Sequence, residues 1–112
     1  MSDFFAPASS QFDLAATTLT DLYTCPDNKT VKLSVTFCNR AVTDTAIRCA
    51  IARAGEADDP KQYIMYDELL EANTSYFIES ISLNEGDIIR VEAADADVSV
   101  GAYVEEVREL AP

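Results

Sequence analysis

"DLYTCPDNKTVKLSVTFCNR", Asp21 to Arg40, is the stretch whose reading decides the fold. Its second half alternates. Val31, Leu33, Val35 and Phe37 fall on one face of an extended chain, and Lys32, Ser34, Thr36 and Cys38 on the other. Successive side chains of a strand point to opposite faces, so period 2 marks a half-buried strand. "PDNK" (26–29) in front of it has the chemistry of a turn. Proline suits the first central position, and asparagine tolerates positive φ. "LTDLYTC" (19–25) before the turn reads as another short strand, ended by Pro26. Cys25 and Cys38 flank the turn, and their offset suits paired strands. The stretch is therefore either the opening of a β-sandwich or a redox or metal site.

Downstream, the same signals recur. "AIRCAIARA" (46–54) sets Ile47, Cys49 and Ile51 against Arg48, Ala50 and Ala52. A short helix competes there, because alanine weakens β-propensity. "GEADDPK" (55–61) is a polar loop. Tyr63, Met65 and Tyr66 suit a strand at 62–67 with a turn after it, although "YDELLEA" has helical propensity. Strands follow in "NTSYFIESISL" (73–83), "IIRVEAAD" (88–95) and the Val98–Val104 region, with Gly86 free to take positive φ in the "NEGD" loop between the first two. Seven or eight short strands spaced by turn signals predict an all-β fold. The expected fold is one antiparallel β-sandwich, jelly-roll or immunoglobulin-like, over residues 18–112. The 112 residues fit one domain that needs no disulfide or metal staple.

Residues 1–17 differ. They are rich in Ser, Ala, Thr and Pro, hold no period of 2 or 3.6, and carry Phe4, Phe5 and Phe12. The segment is expected to be an N-terminal arm whose phenylalanines dock on a neighbouring subunit, with a frayed terminus as the plain alternative.

The formal net charge is -12, from 8 Lys plus Arg against 20 Asp plus Glu. Such a field repels phosphate backbones and anionic membranes, which argues against nucleic-acid or membrane partners. No apolar run approaches the length of a membrane span, and no basic n-region with an apolar core begins the chain, so a cytoplasmic origin is expected. The sequence contains no histidine, the commonest general base and a frequent zinc ligand. Cys25, Cys38 and Cys49 form no C-x-x-C pair, and in a reducing compartment each reads as a small buried hydrophobe. Paired carboxylates abound at Asp58-Asp59, Asp67-Glu68 and Glu105-Glu106, but in so acidic a chain they read as solvated surface. Asp95-Ala96-Asp97 lacks the glycine and closing glutamate of an EF-hand loop. The expectation is no enzyme: no catalytic residues, no cofactor and no metal.

The order of "LYTCPDNKTVKLSVTFCN" and, later, "QYIMYDELLEANTSYFIESISLNEGDIIRV" resembles a group of small β-sandwich virion proteins of tailed bacteriophages, over about residues 19–107. The resemblance rests on a "T-x-P" strand end, a "KT" after the turn, a strand closing in "CN", and "GDIIRV". The group's pattern has Ala-Gly where this chain has Asp-Asn. The resemblance implies a structural protein of the virion, made in the host cytoplasm. Foremost is a capsid decoration or cement protein bound across seams of the major capsid protein, itself a small homo-oligomer with a trimer favoured. A head spike base or a tail or connector component is the alternative within the class. A carbohydrate-binding β-sandwich module is the alternative outside it.

Overall fold

A computed structural model describes residues 10–110. Eight strands follow in order: β1 (Ser10–Asp13), β2 (Thr20–Thr24), β3 (Lys29–Asn39), β4 (Thr45–Ala52), β5 (Tyr63–Leu70), β6 (Ser75–Leu83), β7 (Ile88–Ala93) and β8 (Val98–Glu109). They form two four-stranded antiparallel sheets, β1-β8-β3-β6 and β2-β7-β4-β5. β1 pairs with β8, β2 with β7, β3 with β6 and β4 with β5, each strand with its mirror image about the middle of the chain. That is one long hairpin rolled up, and β3·β8 and β4·β7 pairing close the two sheets. Among the two forms expected, this nesting is the jelly roll.

The alternating strand is the keel of the first sheet, paired on both sides. Val31, Leu33, Val35 and Phe37 are all buried, and the intervening Lys32, Ser34, Thr36 and Cys38 face outward. Opposite them, the second sheet supplies Leu22, Ile47, Cys49, Ile89 and Val91. Each large side chain removed from water this way contributes on the order of 1.5–3 kcal/mol. The proline turn forms as expected, with Asn28 at φ 61°.

Two buried polar side chains tie the ends of the sandwich. Asn39, the last residue of β3, donates through Nδ2 to the carbonyls of Thr43 (2.9 Å) and Leu70 (3.2 Å) and accepts from Ala41 N–H (3.0 Å). It locks the β3–β4 loop to the end of β5. At the other end, the Asp87 carboxylate accepts from the backbone N–H of Ala54 (2.9 Å) and Asn84 (2.8 Å) and from the Arg53 guanidinium (2.7 Å). Gly86 precedes it at φ 82°, a conformation glycine adopts without penalty.

Three expectations need correction. The sandwich does not begin at residue 18, because β1 lies inside the supposed arm. Ser10 to Asp13 pair with Ala102 to Ser99 of β8, and Leu14 joins the core. Leu14 N–H and Thr17 N–H donate to the carbonyls of Val98 (2.9 Å) and Ala93 (2.8 Å), so the connection to β2 is bonded along its length. β1 escaped notice because it is four residues at a sheet edge with no alternating apolar set. Second, β5 does not stop at 67 but runs to Leu70, whose side chain is buried. Third, Cys25 and Cys38 are not on paired strands, since β2 and β3 belong to opposite sheets. All three cysteines are free thiols. Cys25 and Cys49 are buried in the core, and burial pushes the Cys49 thiol up to about 12.

Candidate functional site

A cleft that combines a guanidinium, a carboxylate and two phenols lies on the outer face of the second sheet. It encloses about 450 Å³ and is lined by Arg48, Asp58, Pro60, Tyr63 and Tyr66. β4 supplies Arg48, β5 the two tyrosines, and the loop between these strands the aspartate and proline. In a regular strand, residues three apart point to opposite faces. Tyr63 and Tyr66 nevertheless stand edge to face, their ring centroids 5.2 Å apart at 87°. The cause is irregular pairing. Between Ile47↔Glu68 and Cys49↔Met65, β5 advances one residue more than β4, and it does so again on reaching Ala50↔Tyr63 on that strand's other side. Asp67 takes φ 55° within the irregularity, a conformation Asp tolerates better than most residues. Bulges of this kind re-aim side chains.

The re-aimed groups hold one another. Arg48 donates from Nε and Nη2 to the two carboxylate oxygens of Asp67 (2.7 and 3.3 Å), and its guanidinium carbon lies 4.0 Å from the Tyr66 ring centroid. The hydrogen bonds from Arg48 hold the Asp67 carboxyl below its ordinary range, and Asp67 in turn raises the guanidinium. Tyr63 Oη donates to Asp58 Oδ1 (2.9 Å); desolvation and then this bond push the phenol up to about 12. Tyr66 remains 60% exposed.

A second hollow, about 420 Å³, lies on the outer face of the first sheet, between Phe12, Thr36, Ser99 and Tyr103. Tyr103 lies over Gly101, where a Cβ would meet its hydroxyl at 2.6 Å, and Gln11 Nε2 donates to that hydroxyl (3.0 Å). This is where the structure places Phe12, 44% exposed on β1. Phe4 and Phe5 lie outside the described residues, so the three phenylalanines proposed as an interface are represented here by Phe12 alone.

The third feature is one side of the sandwich. β1 lies against β2 at one end of the two sheets; β6 and β5 are the edge strands at the other, each with one edge unpaired among the described residues. Phe77 (64% exposed) and Leu69 (58% exposed) stand on them, with Ile64 and Tyr76 also exposed.

The carboxylate pairs do not converge on a common point. Asp58 lines the tyrosine cleft, Asp67 lines a separate small hollow on the other side of Arg48, Asp59 accepts from Lys61 N–H (3.1 Å), Asp95 accepts from Thr45 Oγ1 (2.9 Å), and Glu106 pairs with Arg108 (3.0 Å). Sequence reasoning placed Tyr63 and Tyr66 in a strand but missed their meeting, and it passed over Arg48. The Asp-Glu step after the tyrosines signals the left-handed irregularity at Asp67, which seats the Arg48 partner, and not the bulge that brings the tyrosines together. No known protein family, curated protein or solved structure matches this chain.

Proposed function

We propose that this chain is a structural protein of a tailed-bacteriophage virion, a capsid decoration protein that attaches to the shell by its β5–β6 side. The observation that carries this reading is that both edge strands at this end of the sheets present exposed large apolar side chains, Phe77 and Tyr76 on β6 and Ile64 and Leu69 on β5. Singly exposed apolar residues are ordinary, but an apolar group beside unpaired edges is a typical protein-docking surface. The jelly roll serves viral shells, lectins and enzymes alike, so the fold alone does not select among them. The order of the "T-x-P", "CN" and "GDIIRV" segments supports the virion reading. A protein that binds only the assembled shell stabilises it by mass action, and many copies around a seam add by avidity.

The test combines imaging with two variants. Cryo-electron microscopy of native particles is expected to place the sandwich on the head with β5 and β6 toward the capsid. Density confined to the tail would replace decoration with a tail component. Phe77→Asp together with Leu69→Asp is expected to weaken binding to stripped capsids more than tenfold, since a central interface side chain carries about 2 kcal/mol or more. Binding at wild-type strength would move the attachment surface elsewhere.

A further inference from the structure

The cleft at Tyr63 and Tyr66 lies on the outer face of β5, whose open edge the proposed attachment uses, and its construction is specific. The break in β5 pairing between Cys49↔Met65 and Ala50↔Tyr63 brings two tyrosines three residues apart onto one face, and a second break, at left-handed Asp67, lies at the carboxylate that Arg48 holds. Conformations of this kind persist where surrounding structure holds them, and they concentrate at functional positions. Here the Arg48–Asp67 pair and the stacking of Arg48 on Tyr66 do the holding.

Unused valences identify the ligand class. Arg48 spends Nε and Nη2 on Asp67, and Asp58 spends Oδ1 on Tyr63. Among the described residues, Arg48 Nη1 donates no hydrogen bond, Asp58 Oδ2 accepts none, and the Tyr66 hydroxyl makes none. The cleft thus offers a free donor, a free acceptor and a hydroxyl that does both, above an aromatic floor. A quaternary ammonium has no hydrogen-bonding group and would meet the guanidinium already at the Tyr66 ring. A proline-rich peptide offers carbonyl acceptors and leaves Asp58 unanswered. An anion would meet Asp58 and a chain of net charge -12. A neutral pyranose has an apolar face for the ring and a rim of hydroxyls that both donate and accept. The volume of about 450 Å³ lies within the ordinary range of small-ligand sites, roughly 300–1,000 Å³.

We propose that the cleft between β4, β5 and the loop carrying Asp58 binds a neutral saccharide, its ring stacked on Tyr66 and its hydroxyls bonded to Asp58 and Arg48. The site shares β5 with the proposed attachment, and the two proposals are separated by their assays: oligosaccharide binding by the free chain, with Tyr66 and Asp58 variants, tests this one, and capsid binding by Phe77 and Leu69 variants tests the other.

The purified full chain should be screened on an array of neutral and anionic glycans, and its best neutral oligosaccharides titrated by calorimetry, with choline and a proline-rich decapeptide as competing probes. Expected is binding of at least one neutral oligosaccharide in the millimolar range or tighter, with tyrosine resonances of the cleft shifting in NMR spectra. Tyr66→Ala should reduce affinity at least tenfold, and Asp58→Asn several-fold. Tyr66 is exposed, so the variant should keep the wild-type circular dichroism spectrum. No neutral glycan binding, preferential binding of choline, the peptide or an anionic glycan, or unchanged affinity in folded Tyr66→Ala would overturn the proposal.

Discussion

Tyr23 buries its ring at the end of β2, yet its hydroxyl has no hydrogen-bond partner among the described residues. An unpaired buried hydroxyl costs more than removing it. Burial, and then nearby Cys25, push its phenol from 10.0 up to about 12. The folded state therefore holds the Tyr23 proton more tightly than the unfolded chain. That contribution is complete below pH 10 and is lost as the pH rises toward about 12. Tyr23→Phe should be neutral or stabilising by up to about 1 kcal/mol at neutral pH, and should unfold less readily under alkali. Thermal melts at neutral and alkaline pH check both parts; a clear loss at neutral pH would mean the hydroxyl has a partner in ordered water. Individual residues also divide what the sequence disclosed from what it concealed. The outward and inward faces of β3 were legible because a strand buried on one side writes its register in every second residue. The meeting of Tyr63 with Tyr66 was not, because a bulge between Met65 and Tyr63 breaks that period and no residue there marks it.

At the scale of elements, the shortest strand should matter more than its composition suggests. Deleting residues 1–17 removes β1 and Leu14 and leaves one edge of β8 without its partner. Loss of Leu14 alone is worth roughly 1.5–3 kcal/mol, a large share of the roughly 5–15 kcal/mol that holds a domain. The truncated chain is expected to unfold at a markedly lower urea concentration, and an unchanged midpoint would show β1 to be dispensable. Asp87 joins the Arg53–Gly55 turn to the β6–β7 turn in a comparable way. Burial raises its carboxyl, but the N–H groups of Ala54 and Asn84 and the Arg53 guanidinium outweigh burial and hold it below the ordinary 3.8. The stabilisation is thus present above pH 3.8 and is lost as the pH falls through the lowered folded value. Asp87→Asn should cost about 1.5–3 kcal/mol at neutral pH, the worth of hydrogen bonds to a charged group, and should flatten the acid limb of stability. An acid titration of the two proteins followed by circular dichroism would expose an idle Asp87 as two parallel curves. These elements also explain the recognisable motifs. "T-x-P" ends β2, the Asn of "CN" is the buried tie at Asn39, and the "GD" of "GDIIRV" is the Asp87 tie. The motifs were legible because turns and ties constrain single residues. They report how the sandwich closes, and they leave its outer faces unwritten.

For the molecule as a whole, the dominant quantity is the net charge of -12. In the proposed arrangement, copies around a capsid seam would repel one another, whereas an apolar attachment through β5 and β6 would be insensitive to charge screening. At an ionic strength of about 0.1 M the Debye length is only about 10 Å, so added salt quiets the repulsion between neighbouring copies before it touches the contact itself. Raising salt from about 0.05 to about 0.5 M should therefore maintain or strengthen binding to stripped capsids, and it should raise the number of copies bound at saturation. A contact built on a basic capsid surface would behave in the opposite way, steered by charge and weakened steeply by salt. Sedimentation of capsids with the bound protein across that range separates the two. Affinity that collapses with salt would assign attachment to the acidic surface and leave Phe77 and Leu69 without a part in it.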